Sequence, residues 1–451
     1  MVKTDYEKYS EDIFKISPQM RFLYKKKDTE TLSHIEDSLS DEYHNKLKKI
    51  MDKYENTKDI ELIKELECIK FNLANKLYLF LYSSFFNSII NFIYDTTHVY
   101  PKNEEYKRSR QKDFDKYVQT SMMRAKEGLK LKITYPKIII KKFLDQIKGI
   151  SKYFYLYNFI KKHYYPYCRT EVGLCYIKNG KEIYKTIIKD HIGHLDITPE
   201  EIHQTGLSLI KKKVKLEDKY KSKEELMKDC RKYATHIYDN VISVYFHYKL
   251  KSPFIIEQVH KDLESSSALA YYNEIEEKVF INTSYFKELD KKELYSLIMH
   301  ECMHYYHFKY MDHYNVPKFK RFDYSNVALV EGFAHYMEIY CENYDDDNNS
   351  FSLLRKLRLV VDTGINYYGW TYKQAVDYLN KYLPNKKADN TNEVDRYICA
   401  PGQALSYLIG KLHIIKLRDA YLAKGGNIKD FHHKLLMEGL ASFITIDKIF
   451  K

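Results

Sequence analysis

A chain of 451 residues that is 44% hydrophobic and 15% aromatic carries enough apolar material for a sizeable core, which excludes a disordered or low-complexity protein. Its 74 lysines and arginines outnumber its 62 acidic residues, giving a net charge of +12. The basic residues are nevertheless spread along helical faces, with tight runs at Lys25-Lys26-Lys27 and Lys211-Lys212-Lys213, so nucleic acid is not an expected partner.

The 14 glycines and 9 prolines form no run that would mark a flexible linker, and one continuous, mostly α-helical body is expected. The 45 tyrosines, with abundant Lys, Ile and Asn, suggest an AT-rich genome, such as that of a large DNA virus or an AT-rich microbe, and lower the weight of any single tyrosine. Seven widely spaced cysteines, an odd number, argue against a disulfide framework and for a reducing, cytoplasmic compartment. The start, Met1-Val2-Lys3-Thr4-Asp5-Tyr6, leads into a charged segment rather than the apolar core of a cleavable signal.

In chain order, residues 1–70 read as a polar, charged helical segment, exemplified by Asp28-Thr29-Glu30, and residues 71–451 as the main helical domain. Leu77 to Tyr94 is free of charge, but Ser83, Ser84, Asn87, Ser88 and Asn91 interrupt it. A span needs roughly twenty strongly apolar residues, so a buried helix is expected there and a membrane is not an expected partner. Two helices follow between about 105 and 160, broken at Thr134-Tyr135-Pro136. The run from Glu171 to Ile177, then Asn179-Gly180, then Ile183-Tyr184, reads as a hairpin with an Asn-Gly turn. Thr198-Pro199-Glu200-Glu201 opens a helix, with Thr198 as its cap. Ala268-Leu269-Ala270-Tyr271-Tyr272, followed by Lys278-Val279-Phe280-Ile281-Asn282, predicts a small antiparallel sheet. An edge strand there could pair with an extended substrate backbone, which makes Tyr271 and Tyr272 candidate substrate-binding residues, although a purely structural strand fits as well.

The chemistry concentrates in the next stretch. Asp290, with Glu293 as its reciprocal carboxylate, caps a helix whose apolar residues Leu294, Leu297, Ile298 and Met299 precede His300-Glu301-Cys302-Met303-His304. Residues four apart share a helix face, so His300 and His304 can offer two imidazoles to one metal ion, with Glu301 beside it as general base. Ser325-Asn326 predicts the cap of a second helix carrying Glu331, His335 and Glu338. Glu331 would complete a set of three ligands, and Glu338 lies where it can hold a ligand histidine in place. Taken singly, the first helix also fits an ordinary core helix that carries histidines, and Glu331 a solvated carboxylate near a helix start. Asp345-Asp346-Asp347-Asn348-Asn349 reads as a solvated acidic loop without the pattern of a calcium loop. Helices are then expected around Leu354 to Val361, from Thr371 to Leu383, and from the Arg396 region to Arg418.

Several of these segments, in this order, resemble the family known as domain of unknown function 885. They are Thr198-Pro199-Glu200-Glu201-Ile202, the His-Glu helix, Glu331-Gly332-Phe333-Ala334-His335-Tyr336, Arg358-Leu359-Val360-Val361-Asp362-Thr363-Gly364-Ile365 with Gly369-Trp370, and Pro401-Gly402-Gln403-Ala404-Leu405-Ser406-Tyr407. Beyond that family, the spacing is similar to mostly helical zinc peptidases such as neurolysin, thimet oligopeptidase, angiotensin-converting enzyme and the thermostable zinc carboxypeptidases.

The resemblance implies two helical halves around a deep cleft, one Zn2+ per chain on His300, His304 and Glu331, and hydrolysis of short peptides with Glu301 moving the proton. It further implies Tyr407 or Tyr397 as a donor to the oxyanion, Arg396 as a binder of a substrate carboxylate or else one half of a structural salt bridge, and Glu338 and Asp362 as residues behind the ligands. The family's Pro-Gly after His-Glu is absent here, which makes His304 the second ligand and His307 the fallback. Asn366 stands where relatives often carry histidine, and Phe333 where they carry tryptophan. These departures motivate a rival reading, a catalytically degenerate member acting as a metal-containing binding or scaffold protein. Oligomeric state is not legible in the sequence.

Overall fold

The structure is a computed structural model that describes residues 3–17, 34–79, 104–211, 214, 218–264, 267–274, 276–321, 327–342, 344–384 and 386–451. The Lys25-Lys26-Lys27 run, Asp28-Thr29-Glu30, most of the helix expected over Leu77 to Tyr94, and the Ser325-Asn326 cap lie outside the described residues. The fold is mostly α-helical with one small three-stranded sheet. Among the described residues, no helix is long and apolar enough to cross a membrane. The chain forms two compact bodies.

The first body comprises Met1–Thr186, Ile365–Tyr372 and Glu393–Pro401. Its helices include Asp5–Ile16, Asp41–Lys53, Ile60–Ala74, Glu104–Leu131 and Lys137–Ile147. Leu39 packs in one core with Phe114, Tyr117, Tyr135, Phe143, Leu156 and Tyr164, so part of the first seventy residues shares its interior with the helices that follow. The break at Thr134-Tyr135-Pro136 forms as expected. Pro136 is the N-cap of the helix starting at Lys137, and the backbone amide of buried Tyr135 donates to the Tyr164 hydroxyl at 3.1 Å.

The hairpin expected around Asn179-Gly180 does not form. Leu174–Tyr176 is a 3-10 turn and Gly180–His191 an α-helix. Asn179 does adopt the left-handed conformation that an Asn-Gly turn favours, at φ 58°. Gly180 is required because a Cβ there would lie 1.7 Å from the Leu174 carbonyl oxygen. The turn closes onto a helix because Ile183, Tyr184, Ile187 and Ile188, spaced at helical intervals, are all buried.

The second body comprises Ile187–Gly364, Lys373–Asn392 and Gly402–Lys451. Thr198 caps the helix Pro199–Leu209 with Glu201 completing a capping box. The sheet contains β1 (Ile256–Gln258), β2 (Ala270–Asn273) and β3 (Lys278–Ile281) in the order β1-β3-β2. The β2–β3 pair is antiparallel, as the sequence suggested, but β1 joins β3 in parallel, so the sheet is mixed. Central β3 buries Val279, Phe280 and Ile281, whereas edge strand β2 is only partly buried beyond Ala270.

Behind the sheet, the His-Glu helix Lys291–His313 buries Leu294, Ile298, Met299, Cys302, Met303, Tyr306 and Tyr310 together with the polar Glu293, His300, Glu301 and His307. Asp290 caps it by accepting the Lys292 amide. The expected reciprocal carboxylate does not close the box. Buried Glu293 instead accepts from the backbone amide and hydroxyl of Ser350, at the start of the helix Ser350–Asn366.

Val327–Met337 packs on Ser406–Ala423 through glycine. A Cβ on Gly332 would lie 2.6 Å from the Gly410 backbone, and one on Gly410 would lie 2.0 Å from the Ala328 oxygen. This backbone-to-backbone approach fixes Glu331, beside Gly332, relative to Tyr407.

Candidate metal centre

Two turns of one helix and one turn of another bring three donors together. His300, His304 and Glu331 each offer one ligand atom, and these atoms lie within 4.8 Å of one another. Glu331 Oε2 is 3.2 Å from His300 Nε2 and 3.4 Å from His304 Nε2. Ligand atoms about 2.0–2.1 Å from a tetrahedral zinc ion are separated by roughly 3.3 Å, so the two spacings to Glu331 fit such an ion. Both imidazoles turn Nε2 toward the same carboxylate, which leaves Nδ1 of His300 facing away.

Nδ1 of His300 lies 2.9 Å from Glu338 Oε1. Glu338 is fully buried and is gripped by Arg355 through Nη2 at 2.9 Å and Nη1 at 3.0 Å, one nitrogen to each carboxylate oxygen. A carboxylate on the far ring nitrogen fixes the tautomer and orientation of a ligand histidine, the role the sequence assigned to Glu338. Burial by itself would lower the pKa of His300, but hydrogen bonds that its ring donates to Glu331 and Glu338 outweigh it and raise the value to about 9. Burial would likewise raise Glu331, yet the charge of His304 and hydrogen bonds from both histidines hold it well below the ordinary carboxylate range. Both shifts favour an ion pair between His300 and Glu331, and a carboxylate drawn toward positive charge in this way also suits a bound cation.

The cluster opens onto a cavity of about 360 Å³ lined by His300, Glu301, His304, Glu331, Tyr407, Ala268 and the β2 residues Ala270, Tyr271 and Tyr272, and Leu297, Phe351, Leu354, Arg355 and Arg358. Candidate residues Glu301, Tyr271, Tyr272 and Tyr407 therefore share one wall system with the donors. Tyr397 and Arg396 belong to the first body, and the lining includes neither. Tyr397 is buried and donates its hydroxyl to Glu393 at 2.6 Å, while Arg396 lies 3.5 Å from the same carboxylate.

Asp362 is buried and accepts the Gly402 amide at 3.0 and 3.1 Å, at a turn where Gly402 has φ 80°. It thus holds the start of the segment that carries Tyr407. Asn366 is a structural link in the first body, accepting from the Leu174 amide and donating to the Tyr397 carbonyl. His307 is buried against Phe333 and lies outside the cluster of three donors.

Two features go beyond what the sequence suggested. Arg355 and Arg358 face the cavity from a helix whose neighbours Leu357, Leu359, Val360 and Val361 are fully buried. Two arginines one turn apart in so apolar a helix were the available signal. In addition, the acidic loop is not simply solvated. Asp346 pairs with Lys356 at 2.6 Å and with buried Lys411 at 3.1 Å, and these cations, despite the cost of burial, hold its pKa well down. Lys411 also reaches Nε2 of His335, whose Nδ1 lies 3.3 Å from the Tyr407 carbonyl oxygen.

The sequence pattern of the family described as "Bacterial protein of unknown function (DUF885)" matches residues 209–447, more than half the chain. The chain belongs to the DUF885 family. The matched region of this DUF885 protein contains His300, Glu301, His304, Glu331 and Glu338. No curated protein matches the chain. Among solved structures, the fold is similar to the "putative lipoprotein" of Colwellia psychrerythraea, with a TM-score of 0.78 at 18% identity over 99% of this chain and 97% of that one. It is also similar to the "putative lipoprotein of unknown function" of Shewanella oneidensis, with a TM-score of 0.66 at 15% identity over 99% of both chains. At such identities the likeness establishes a shared fold.

Proposed function

We propose that this DUF885 protein is a metal-dependent peptidase acting on short peptides, with zinc as its ion. The observation that carries the reading is the convergence of His300, His304 and Glu331 on one point of a cavity wall that also holds Glu301. His300 and His304 would hold the ion through Nε2 and Glu331 through a carboxylate oxygen. When bound, a zinc ion supplies Lewis acidity toward a carbonyl oxygen and lowers the pKa of water to about 7.

The remaining steps belong to the chain. Glu301, next to His300 and on the cavity wall, takes the proton from water and delivers it to the leaving amine. Glu338, itself fixed by Arg355, holds His300 in register. Tyr407 lines the same cavity, and its hydroxyl is the proposed donor to the developing oxyanion. Edge strand β2 supplies backbone groups to which an extended peptide can add as a further strand, with Tyr271 and Tyr272 beside it.

A cytoplasmic location, suggested by the cysteine content, belongs to the same proposal. The word lipoprotein in the descriptions of the two similar structures points elsewhere for those proteins. The rival reading, a metal-containing scaffold, has no need of Glu301.

The test follows from that difference. Metal-loaded protein and Glu301→Gln are compared on a quenched fluorescent peptide, with bound metal quantified in both. The proposal expects equal metal and at least about a hundredfold loss of turnover in the variant. Equal turnover in the two proteins would refute it.

A further inference from the structure

Part of the cavity wall is apolar and lacks a covering partner. The helix Ser350–Asn366 is buried at every position except Phe351 and Leu354, which are partly exposed and line the cavity. The His-Glu helix repeats the pattern. From Glu293 to Met303 it is buried at every position except Leu297, which lines the same cavity. Where two interior helices each open to solvent, polar residues are the ordinary choice, yet all three of these side chains are apolar.

Two contacts bring them together. Glu293, one turn before Leu297, accepts from the backbone amide and hydroxyl of Ser350, the neighbour of Phe351. Ser296, next to Leu297, accepts from the Asn349 side-chain amide at 2.9 Å. Leu297 and Phe351 therefore meet one space from two helices tied to each other, and Leu354 follows Phe351 on the same helix face. Lys386, outside the cavity lining, pins Phe351 by lying 4.8 Å from its ring centroid while bonding Ser350 at 3.3 Å. Ala268 and Ala270 present methyl groups to the same cavity, where longer side chains would fill it.

Helical spacing sets where this patch stands. Leu297 is one turn before Glu301, and Phe351 and Leu354 are one turn before Arg355 and Arg358. One turn is about 5.4 Å, so the patch adjoins the carboxylate that handles the proton. Charged groups around the donors are meanwhile turned to one another, Glu331 to both histidines and Arg355 to Glu338. The cavity, at about 360 Å³, has room for little more than the groups next to the reacting bond.

We infer that Leu297, Phe351 and Leu354 form a specificity subsite for an apolar, leucine-sized side chain on a substrate residue flanking the scissile bond. The inference rests on the peptidase reading for that bond, but the subsite is a property of the cavity and can be measured without turnover.

Chelator-treated protein is titrated with N-acetyl-leucinamide and with N-acetyl-glutaminamide, of similar length but polar, by ligand-observed nuclear magnetic resonance. The leucine compound should bind at least about tenfold more tightly, since each buried methylene is worth roughly fourfold. Leu354→Asn should reduce that preference to about threefold or less by making part of the wall polar. Ala268→Leu should do the same by filling the space with the protein's own side chain, and the exposure of Ala268 lets the larger residue fit without repacking the core. Full zinc uptake by both variants checks that they are folded. Equal binding of the two compounds by the unmodified protein, or an undiminished preference in both zinc-binding variants, would overturn the inference.

Metal-loaded protein is then given peptides in which leucine or glutamine occupies each position in turn. Glu301-dependent cleavage that ignores a flanking leucine would leave the peptidase reading standing and overturn the subsite. Leucine-selective binding with no cleavage of any peptide would do the reverse.

Discussion

Replacing Glu338 by glutamine should weaken metal binding in a way that depends on pH. Glu338 meets His300 Nδ1 at 2.9 Å and Arg355 at 2.9 and 3.0 Å, and the amide keeps its shape while removing its charge. Loss of such a partner behind a ligand histidine typically costs about 10–100-fold in metal affinity, or about 1.4–2.8 kcal/mol. A second effect opposes the first. His300 has its pKa raised to about 9 in the metal-free cluster, so at pH 7 an incoming ion must displace a proton. Between pH 7 and 9 that competition weakens zinc binding by up to about tenfold per pH unit, roughly a hundredfold in all, and affinity climbs as pH rises. Glutamine removes one of the two hydrogen bonds that raise His300, so the variant should show a flatter profile.

The account therefore predicts that the deficit of Glu338→Gln is largest near pH 9 and shrinks toward pH 7. Competition with a chromophoric chelator, repeated across this range, gives both curves. Identical affinities and identical slopes would refute the arrangement in which Glu338 acts on the ion through His300.

Four further outcomes are expected. His304→Ala should abolish stoichiometric zinc binding, whereas His307→Ala should retain it, because His307 packs against Phe333 outside the donor cluster; metal analysis of the purified variants decides. Tyr407→Phe should lower kcat by about a hundredfold with little change in KM, as for loss of one oxyanion donor. Tyr397→Phe should instead act mainly on stability, since its hydroxyl is bonded to Glu393 in the first body. Gly332→Ala should cost about 1–3 kcal/mol in denaturant unfolding and reduce zinc uptake, because its Cβ would lie 2.6 Å from the Gly410 backbone and push away the helix bearing Glu331.

Burial pushes Glu36 up to about 7 despite a hydrogen bond with Ser17, and its Oε2 has no hydrogen-bond partner among the described residues. A carboxyl whose folded pKa is raised loses stability for the protein as pH climbs from about 4.5 through 7. Glu36→Gln should therefore be more stable than the parent at pH 8 by up to about 3 kcal/mol, with the gap closing by pH 4.5 in denaturant titrations.

The donor set was legible because its logic is local. His300 and His304 share a face by helical spacing, and Glu331 and Glu338 follow on one short helical stretch whose geometry is nearly fixed once it forms. What the sequence could not supply was the distant partner. Glu293 looked like the closing residue of a capping box, but Ser350, fifty-seven positions on, provides two donors and takes it. Asp346 looked solvated because its partner Lys411 is sixty-five residues away.

Arg396 and Tyr397 were favoured for lying near a family-like motif along the chain, yet six residues on, Gly402 already belongs to the other body. Arg355 and Arg358 were overlooked because their contacts are with Glu338 and Tyr407 rather than with any neighbour in sequence. The hairpin error has a similar cause. Asn-Gly specifies a tight turn, not the element that follows, and the helical spacing of Ile183, Tyr184, Ile187 and Ile188 was the better guide. Likewise β1 spans only three residues, too few for a periodic signal, so its parallel pairing with β3 emerged only in the fold.

The most direct measurement is exposure of zinc-quantified protein to a mixed library of short peptides, with products read by mass spectrometry and Glu301→Gln run in parallel at equal metal content. The account predicts peptide-bond cleavage by the parent that is absent from the variant. Full zinc occupancy with no cleavage above that of the variant, across a broad library, would contradict it.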